Sequence, residues 1–384
     1  MIDFSVLLVV VLLLYFLECV VWVPAGSVAF RVPSSSKRPI RMLTRPKPMA
    51  RSGIAFSLPF SIGSGVIVCS SLPISVCPQG VASGSQFMAG SRHHDFISFK
   101  DMNNIEPSGK TLLINGDVFV ATASEIQAAE LGKILKRLKR QQLKDRPGEI
   151  ERELAHSLDA SYMGSRLQEY IEKTQRLTVD SLALFVIMFL AAPIVVWKWG
   201  LLAAWPFLLP VLLLNMLLIA WDFRHVAREL FPKASEGHWK AIMTIILSPP
   251  AALHPTKHLA LDFGRDCHPL ALAAVRCSET DFRELASWVL RDTMFAPQTG
   301  GSTDNQAEDC AKWFRQRFQS AVSLLLSDKG YCSEDLIAPP PRESERVQAY
   351  CPRCLCQFVI PEGICSDCGE ISLHAFNRKM KDLK

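Results

Sequence analysis

The sequence predicts a multi-pass α-helical membrane protein with most of its mass on the cytoplasmic side. Three observations indicate this class: three long apolar segments, basic residues beside each segment, and two Cys-x-x-Cys pairs near the C-terminus. The 384 residues are 49% hydrophobic and 21% charged, which excludes a disordered chain. A net charge of +5 is too small to indicate nucleic-acid binding from bulk charge. Outside the membrane we expect a small β-rich (α+β) module, a helical segment and a C-terminal metal-binding module.

The first apolar segment predicts a transmembrane anchor over residues 1–23, because about 20 apolar residues cross a bilayer. A cleaved signal peptide is the alternative, since Pro24-Ala25-Gly26 follows the segment. Signal peptides carry a basic n-region, however, and the charged residue that precedes this segment is Asp3. Residues 24–51 form a basic juxtamembrane segment without acidic residues, which resists translocation. We therefore expect the N-terminus to lie outside.

The second and third apolar segments predict a transmembrane helical hairpin over residues 177–221. Only Lys198, Trp199 and Gly200 separate them, so the two helices must be antiparallel neighbours. Cations flank both open ends of the hairpin: Lys173, Arg176, Arg224 and Arg228. Because cytoplasmic ends of membrane helices are rich in Lys and Arg, both open ends are expected in the cytoplasm. The prediction is an integral protein of the cell or inner membrane, with its bulk and its C-terminus cytoplasmic.

The β-rich module is predicted over residues 52–143. Asn115-Gly116 lies between two apolar runs and suits a type I′ hairpin turn. An amphipathic helix follows, in which Leu131, Leu135 and Leu138 have helical spacing. Strands closed by such a helix resemble the pleckstrin-homology family, and the resemblance implies a small, partly open barrel for protein or lipid contact.

The polar face of this helix and the residues after it are strongly basic. The predicted membrane-surface residues are Lys133, Lys136, Arg137, Lys139, Arg140 and Lys144. Each cation near an anionic membrane surface contributes about 1 kcal/mol, so the lipid bilayer is one expected partner. A solvated helix face is the alternative. Helical periodicity continues through a connector, residues 144–176, and through a cytoplasmic helical segment, residues 222–332.

Histidines and carboxylates gather within this second helical segment. They are His254, His258, Asp262, Asp266 and His268. These residue types could form a second metal site or an acid–base centre. Pro255 opposes this, because it disrupts the helical i, i+4 pairing of the first two histidines, and packing roles are the favoured alternative.

Four cysteines at the C-terminus have the spacing of a metal site: Cys351, Cys354, Cys365 and Cys368. Two Cys-x-x-Cys turns can close a tetrahedral thiolate site. The pattern, over residues 350–372, resembles the zinc-ribbon family, and the resemblance implies bound Zn²⁺ with these four residues as ligands. Cys356 stands two residues after a ligand and leaves the choice between it and Cys354 open. Disulfides are disfavoured in the reducing compartment that the topology predicts.

The predicted function is that of a membrane-anchored binding or scaffold protein rather than an enzyme. A proline-rich linker, residues 333–349, would hold the ribbon away from the helices so that it recruits a protein partner, and a basic tail follows at 373–384. Two alternatives remain open. One is a membrane-bound metalloenzyme that uses the 254–268 cluster, and the other is a membrane-tethered ribbon that binds nucleic acid. The Ser108–Thr111 segment is not a P-loop, because it runs into a strand rather than a helix.

Overall fold

The protein is described from a computed structural model. It describes residues 4–24, 27–33, 38–44, 53–56, 65–70, 74–83, 96–122, 125–232, 238–265, 267–295, 305–369 and 371–376.

A short apolar helix and five strands form the N-terminal part: α1 (Phe4–Glu18), β1 (Val20–Val23), β2 (Ser27–Arg31), β3 (Arg41–Met42), β4 (Gly53–Phe56) and β5 (Val66–Ser70). β1 pairs with β4, and β2 lies between β3 and β5, all antiparallel. The structure differs here from the anchor expected over residues 1–23. α1 has 15 residues and rises about 22 Å, less than the ~30 Å hydrocarbon core. The β-branched run that follows Cys19 favours a strand, and β2 and β3 occupy the predicted juxtamembrane segment.

Two three-stranded sheets and a helix form the next unit: β6 (Ile74–Val76), β7 (Gly80–Ser83), β8 (Phe96–Ser98), β9 (Ile105–Ser108), β10 (Thr111–Ile114), β11 (Asp117–Ala121) and α2 (Glu125–Arg140). Asn115 and Gly116 have φ of 57° and 93°, which confirms the predicted type I′ turn. Leu131, Leu135 and Leu138 of α2 are buried in a single core that also includes residues of both sheets.

This β-rich unit differs from the expectation in its start and in its sheets. Within the predicted 52–143 range, β4 and β5 pair with the N-terminal strands instead, so the unit begins at Ile74 in the described chain. The described strands form two separate sheets rather than one partly open barrel. Their joint core with α2 still makes this a small α+β module.

Two long helices form the predicted hairpin, and a shorter helix, α3 (Arg146–Ser157), precedes them. The first long helix comprises α4 (Ala160–Val186), a π-helical turn (Ile187–Ala191) and α5 (Ala192–Trp199). The second is α6 (Leu201–Leu230). α4, the π turn and α5 form one continuous helix, and both it and α6 are long and apolar enough to cross a membrane. The π turn precedes Pro193, which has no N–H for the helical ladder. Only 17% of each apolar window is buried, so most of these apolar surfaces are not covered by other parts of the described chain.

Seven helices and three short strands complete the chain: α7 (His238–Leu247), α8 (Pro249–Ala252), α9 (Thr256–Arg265), α10 (Pro269–Arg276), α11 (Glu279–Met294), α12 (Asn305–Asp328), α13 (Ser333–Leu336), β12 (Ala349–Tyr350), β13 (Gln357–Phe358) and β14 (His374–Ala375). α7 to α11 pack on α4, α6 and the β2–β5 sheet in the largest core. α9 lies so close to β5 that a Cβ at Gly264 would meet the Val68 carbonyl oxygen at 2.3 Å. Phe318 of α12 contacts both this core and that of the β-rich unit.

Candidate metal centre

Two equivalent backbone turns position the C-terminal cysteines. In the first turn, the Leu355 N–H donates to the Cys351 carbonyl oxygen, and in the second, the Gly369 N–H donates to that of Cys365. The residue after each turn has positive φ, 63° at Leu355 and 59° at Gly369. The matched geometry aims the two sulfurs of each turn toward a common centre.

The four sulfurs lie together at the distances a metal ion requires. The Sγ atoms of Cys351, Cys354, Cys365 and Cys368 are all within 4.8 Å of one another, and those of Cys354 and Cys365 are 3.6 Å apart. Sulfurs bound tetrahedrally at about 2.3 Å lie about 3.8 Å from one another. None of the four forms a disulfide. The donor set therefore fits a single metal ion, and the cluster is consistent with a zinc-ribbon-like module.

Cys356 lies outside this group. Its side chain is exposed, and its Sγ is 3.5 Å from an Asp367 carboxylate oxygen. Its backbone N–H instead donates to the sulfur of Cys354, as the N–H groups of Asp367 and Cys368 donate to Cys365. The geometry favours Cys354 over Cys356 as the fourth sulfur of the group, although the side chains of the two cysteines are also in contact.

The thiols of the cluster differ in acidity. Burial raises the pKa of Cys368 to about 12 and moves that of Cys354 in the same direction. Burial would also raise the pKa of Cys365, but hydrogen bonds from the backbone N–H groups of Cys368 and Asp367 help to lower it below the ordinary value. A metal ion reverses the preference of Cys354 and Cys368 for the protonated form, because only thiolates bind it and their protons are released on binding. The cluster is thus arranged for a cation and not for free thiols in water.

A small sheet supports the metal cluster. β12 lies between β13 and β14, and both neighbours are antiparallel to it. β14 falls within the predicted basic tail, so the module extends beyond the expected end at residue 372. The remaining predicted tail, 377–384, lies outside the described residues.

Arg291 of α11 binds the module to the helical body. Its side chain is 3% exposed, and its guanidinium donates to the carbonyl oxygen of Pro352 at 2.8 Å and to that of Ala338 at 2.6 Å. Burial lowers the pKa of this guanidinium, whereas the nearby Tyr350 and Cys351 raise it. A cation at this place also offsets the negative charge of a metal held by four thiolates.

A second contact lies beside the first. Arg353, between two metal-binding cysteines, donates to the Asp292 carboxylate at 2.6 Å. Phe295 packs into the core of the module and meets the His374 ring edge-on at 5.7 Å. The expectation of a ribbon held away by its linker is therefore wrong. Leu336, inside the predicted spacer, is buried in the main core, and the ribbon is docked on the end of α11.

Sequence reasoning missed Arg291 and Phe295. Arg291 follows the apolar positions Val289 and Leu290 on a helix whose stripe pattern indicates only a core. No short motif marks a buried arginine, and its partners are backbone carbonyls more than 40 positions away in the sequence. A charged residue on the apolar side of α11 is the one signal available.

The predicted second cluster does not come together. His254 lies 3.3 Å from the Cys19 sulfur and stacks on Tyr15, and burial lowers its pKa to about 4. His268 caps α10 by accepting from the Leu270 N–H, and burial lowers its pKa to about 4 as well.

His258 and Asp262 lie near each other, but each also has a partner outside the predicted cluster. Asp262 pairs with His238, with 3.0 Å between Oδ2 and Nε2. His258 meets the edge of Phe223, and burial lowers the pKa of its ring. Asp266 lies outside the described residues. Among the residues that are described, the ribbon cysteines are the one group of three or more metal-binding side chains close enough for an ion.

The basic face of α2 is partly neutralised within the protein. Lys133 pairs with Glu130, and Arg137 pairs with Glu149 and Glu153. Lys139 donates to a backbone carbonyl. Three of the six cations are exposed and lack a carboxylate partner among the described residues: Lys136, Arg140 and Lys144.

The chain matches no protein-family model, and comparisons with curated proteins and with solved structures found no match.

Proposed function

We propose that this protein is a membrane-anchored binding protein whose docked zinc ribbon recruits a protein partner at the cytoplasmic surface. The observation that carries the proposal is the closed group of four cysteine sulfurs, fixed to a helical body that continues into two long apolar helices. Zn²⁺ is the ion this donor set fits best, because it accepts four thiolates in a tetrahedron without a redox change.

A binding role follows from the chemistry of the site. When four thiolates fill the coordination sphere, no position remains for water or substrate, so the ion stabilises the fold and performs no reaction. The role of the ribbon is then to present its own surface. In this proposal the two long helices lie in the bilayer, and the positive residues at their open ends keep the ribbon in the cytoplasm.

The surface offered for recognition is the tip of the ribbon, defined here as Val359, Ile360 and Ile364. Their side chains are 64%, 49% and 63% exposed, although all three are large aliphatic residues. The tip follows β13 and precedes the second cysteine pair. Three large exposed aliphatic side chains within six consecutive residues of a small module are typical of a protein interface, which supports a protein partner with an apolar surface.

Photo-crosslinking in intact membranes tests the proposal. A photoreactive amino acid replaces Ile360 in the full chain, and a matched control carries it at Lys329, which is exposed on the helical body. We expect a discrete crosslinked protein from position 360, none from position 329, and loss of the product when Cys351→Ser removes a ligand. The same products from both positions would contradict recruitment by the ribbon tip.

A further inference from the structure

A pocket of about 90 Å³ lies where α6 ends and α7 begins. Arg224 and Arg228 line it from the last turns of α6, and His238 and Trp239 line it from the start of α7. The pocket is large enough for ordered water or for one small tetrahedral oxyanion. Neither the metal centre nor the ribbon tip contributes to it.

The two arginines give this pocket its charge. They are four positions apart on α6 and therefore share one face of the helix. Both are exposed, and neither has a carboxylate partner in the part of the chain that the structure describes. Arg176, one of the other cations flanking the hairpin, instead pairs with Asp222 at 2.9 Å. Guanidinium groups bind phosphate oxygens through paired N–H donors, so two of them at one pocket favour an anion.

His238 supplies an independent observation. Its side chain is 5% exposed, and its Nε2 is held by Asp262 at 3.0 Å. Its Nδ1 is buried and has no hydrogen-bond partner. Buried polar atoms nearly always have one, so this atom calls for a ligand. Two guanidiniums and an imidazole therefore lie at one small pocket.

The position of the pocket indicates where the anion comes from. Trp239 lines the pocket and is 60% exposed, and Trp221, three positions before Arg224 on α6, is 71% exposed, as expected for indole rings at a membrane interface. Basic pockets at the cytoplasmic ends of membrane helices bind lipid headgroups. We propose that this pocket binds a phosphate group, carried by an anionic phospholipid of the cytoplasmic leaflet or by a soluble phosphate ester. The lipid source rests on the hairpin lying in the membrane, whereas the phosphate site itself does not depend on the zinc ribbon.

Calorimetric titration of the full-length protein in a neutral detergent tests the proposal. Three probes are used: short-chain phosphatidylglycerol, phosphatidylcholine with the same chains, and inorganic phosphate. The variant Arg224→Gln, Arg228→Gln removes both guanidiniums. A matched control, Lys329→Gln with Arg346→Gln, removes the same charge from two exposed positions that do not line the pocket.

We expect the arginine variant to bind at least about tenfold more weakly than the wild type, because each lost charge-assisted hydrogen bond accounts for about that factor. The Lys329→Gln, Arg346→Gln control is expected to bind as the wild type does. Phosphatidylglycerol bound more tightly than inorganic phosphate identifies the lipid source, and equal affinity for the two identifies a soluble ester. The proposal is overturned if the wild type binds neither anion, if the arginine variant binds as tightly, or if phosphatidylcholine binds equally well.

Discussion

Replacement of Arg291 by Met should undock the ribbon while leaving its metal in place. Methionine preserves much of the buried volume but removes the donors to the Pro352 and Ala338 carbonyl oxygens, at 2.8 and 2.6 Å. Hydrogen bonds made by a charged group contribute about 1.5–3 kcal/mol each, so two of them amount to about 3–6 kcal/mol. The population in which the ribbon is detached should rise by about 10²–10⁴-fold, at about 1.4 kcal/mol per factor of ten.

Hydrogen exchange of the full-length protein in detergent measures this change. Peptides across the C-terminal end of α11 and across α13 should exchange faster in Arg291→Met, because Arg291 joins α11 both to the chain that follows α13 and to the ribbon. Peptides within the ribbon should keep their protection, since its four ligands lie inside the module. Arg283→Met, on an exposed position of the same helix, is the matched control. If α11 and α13 exchange at the same rate in both variants, Arg291 does not hold the ribbon in place.

Three further predictions concern topology, turn geometry and pH. An impermeant maleimide should label Lys198→Cys in intact cells, because the closed end of the hairpin is expected outside. It should label the exposed Cys332 only after the membrane is opened. The reverse pattern would show that the orientation is opposite to the one proposed. Gly116→Ala should lower the thermal midpoint and cost about 1 kcal/mol, because φ is 93° there and alanine is strained at that angle. Gly148→Ala, within helix α3, should stabilise the fold by about 0.5 kcal/mol. A Cβ has free space at both positions, so the two variants differ only in backbone conformation. Equal effects would show that backbone strain is not the cause. Burial lowers the pKa of His268 from 6.5 to about 4, so the unfolded state takes up more protons below pH 6.5 and stability falls as the pH falls toward 4. Between pH 7 and pH 5 this loss of stability is about 2 kcal/mol. The variant His268→Asn keeps a capping acceptor but cannot titrate in this range, so its thermal midpoint should fall less between pH 7 and pH 5 than that of the wild type. An equal fall in both proteins would assign the pH dependence to other groups.

The features that the sequence predicted well depend on local physics. Asn115-Gly116 determines its own turn because both residues tolerate positive φ. The cysteine spacing predicts its cluster because each Cys-x-x-Cys turn is short and self-contained. The two apolar helices follow from length and composition alone. In each case the information lies within about 30 consecutive residues.

The features that it missed depend on long-range contacts. The apolar run after Cys19 is compatible with either a helix or a strand. Its pairing with β4, about 30 residues later, selects the strand. The linker before the ribbon has a composition typical of a spacer, but Leu336 enters the core and Arg291 caps the carbonyl of Ala338. His254 and Asp262 are close in sequence, yet each finds its partner on another element. No local pattern encodes such partners.

Metal content of the full-length protein, purified in detergent under reducing conditions, tests the four-thiolate centre most directly. Elemental mass spectrometry should find about one zinc per chain in the wild type and none in a Cys365→Ser, Cys368→Ser variant. Cys356→Ser should retain the zinc, because its sulfur lies outside the cluster. A freshly reduced wild-type protein without metal, or an equal zinc content in the double variant, would contradict a metal centre built from these four cysteines.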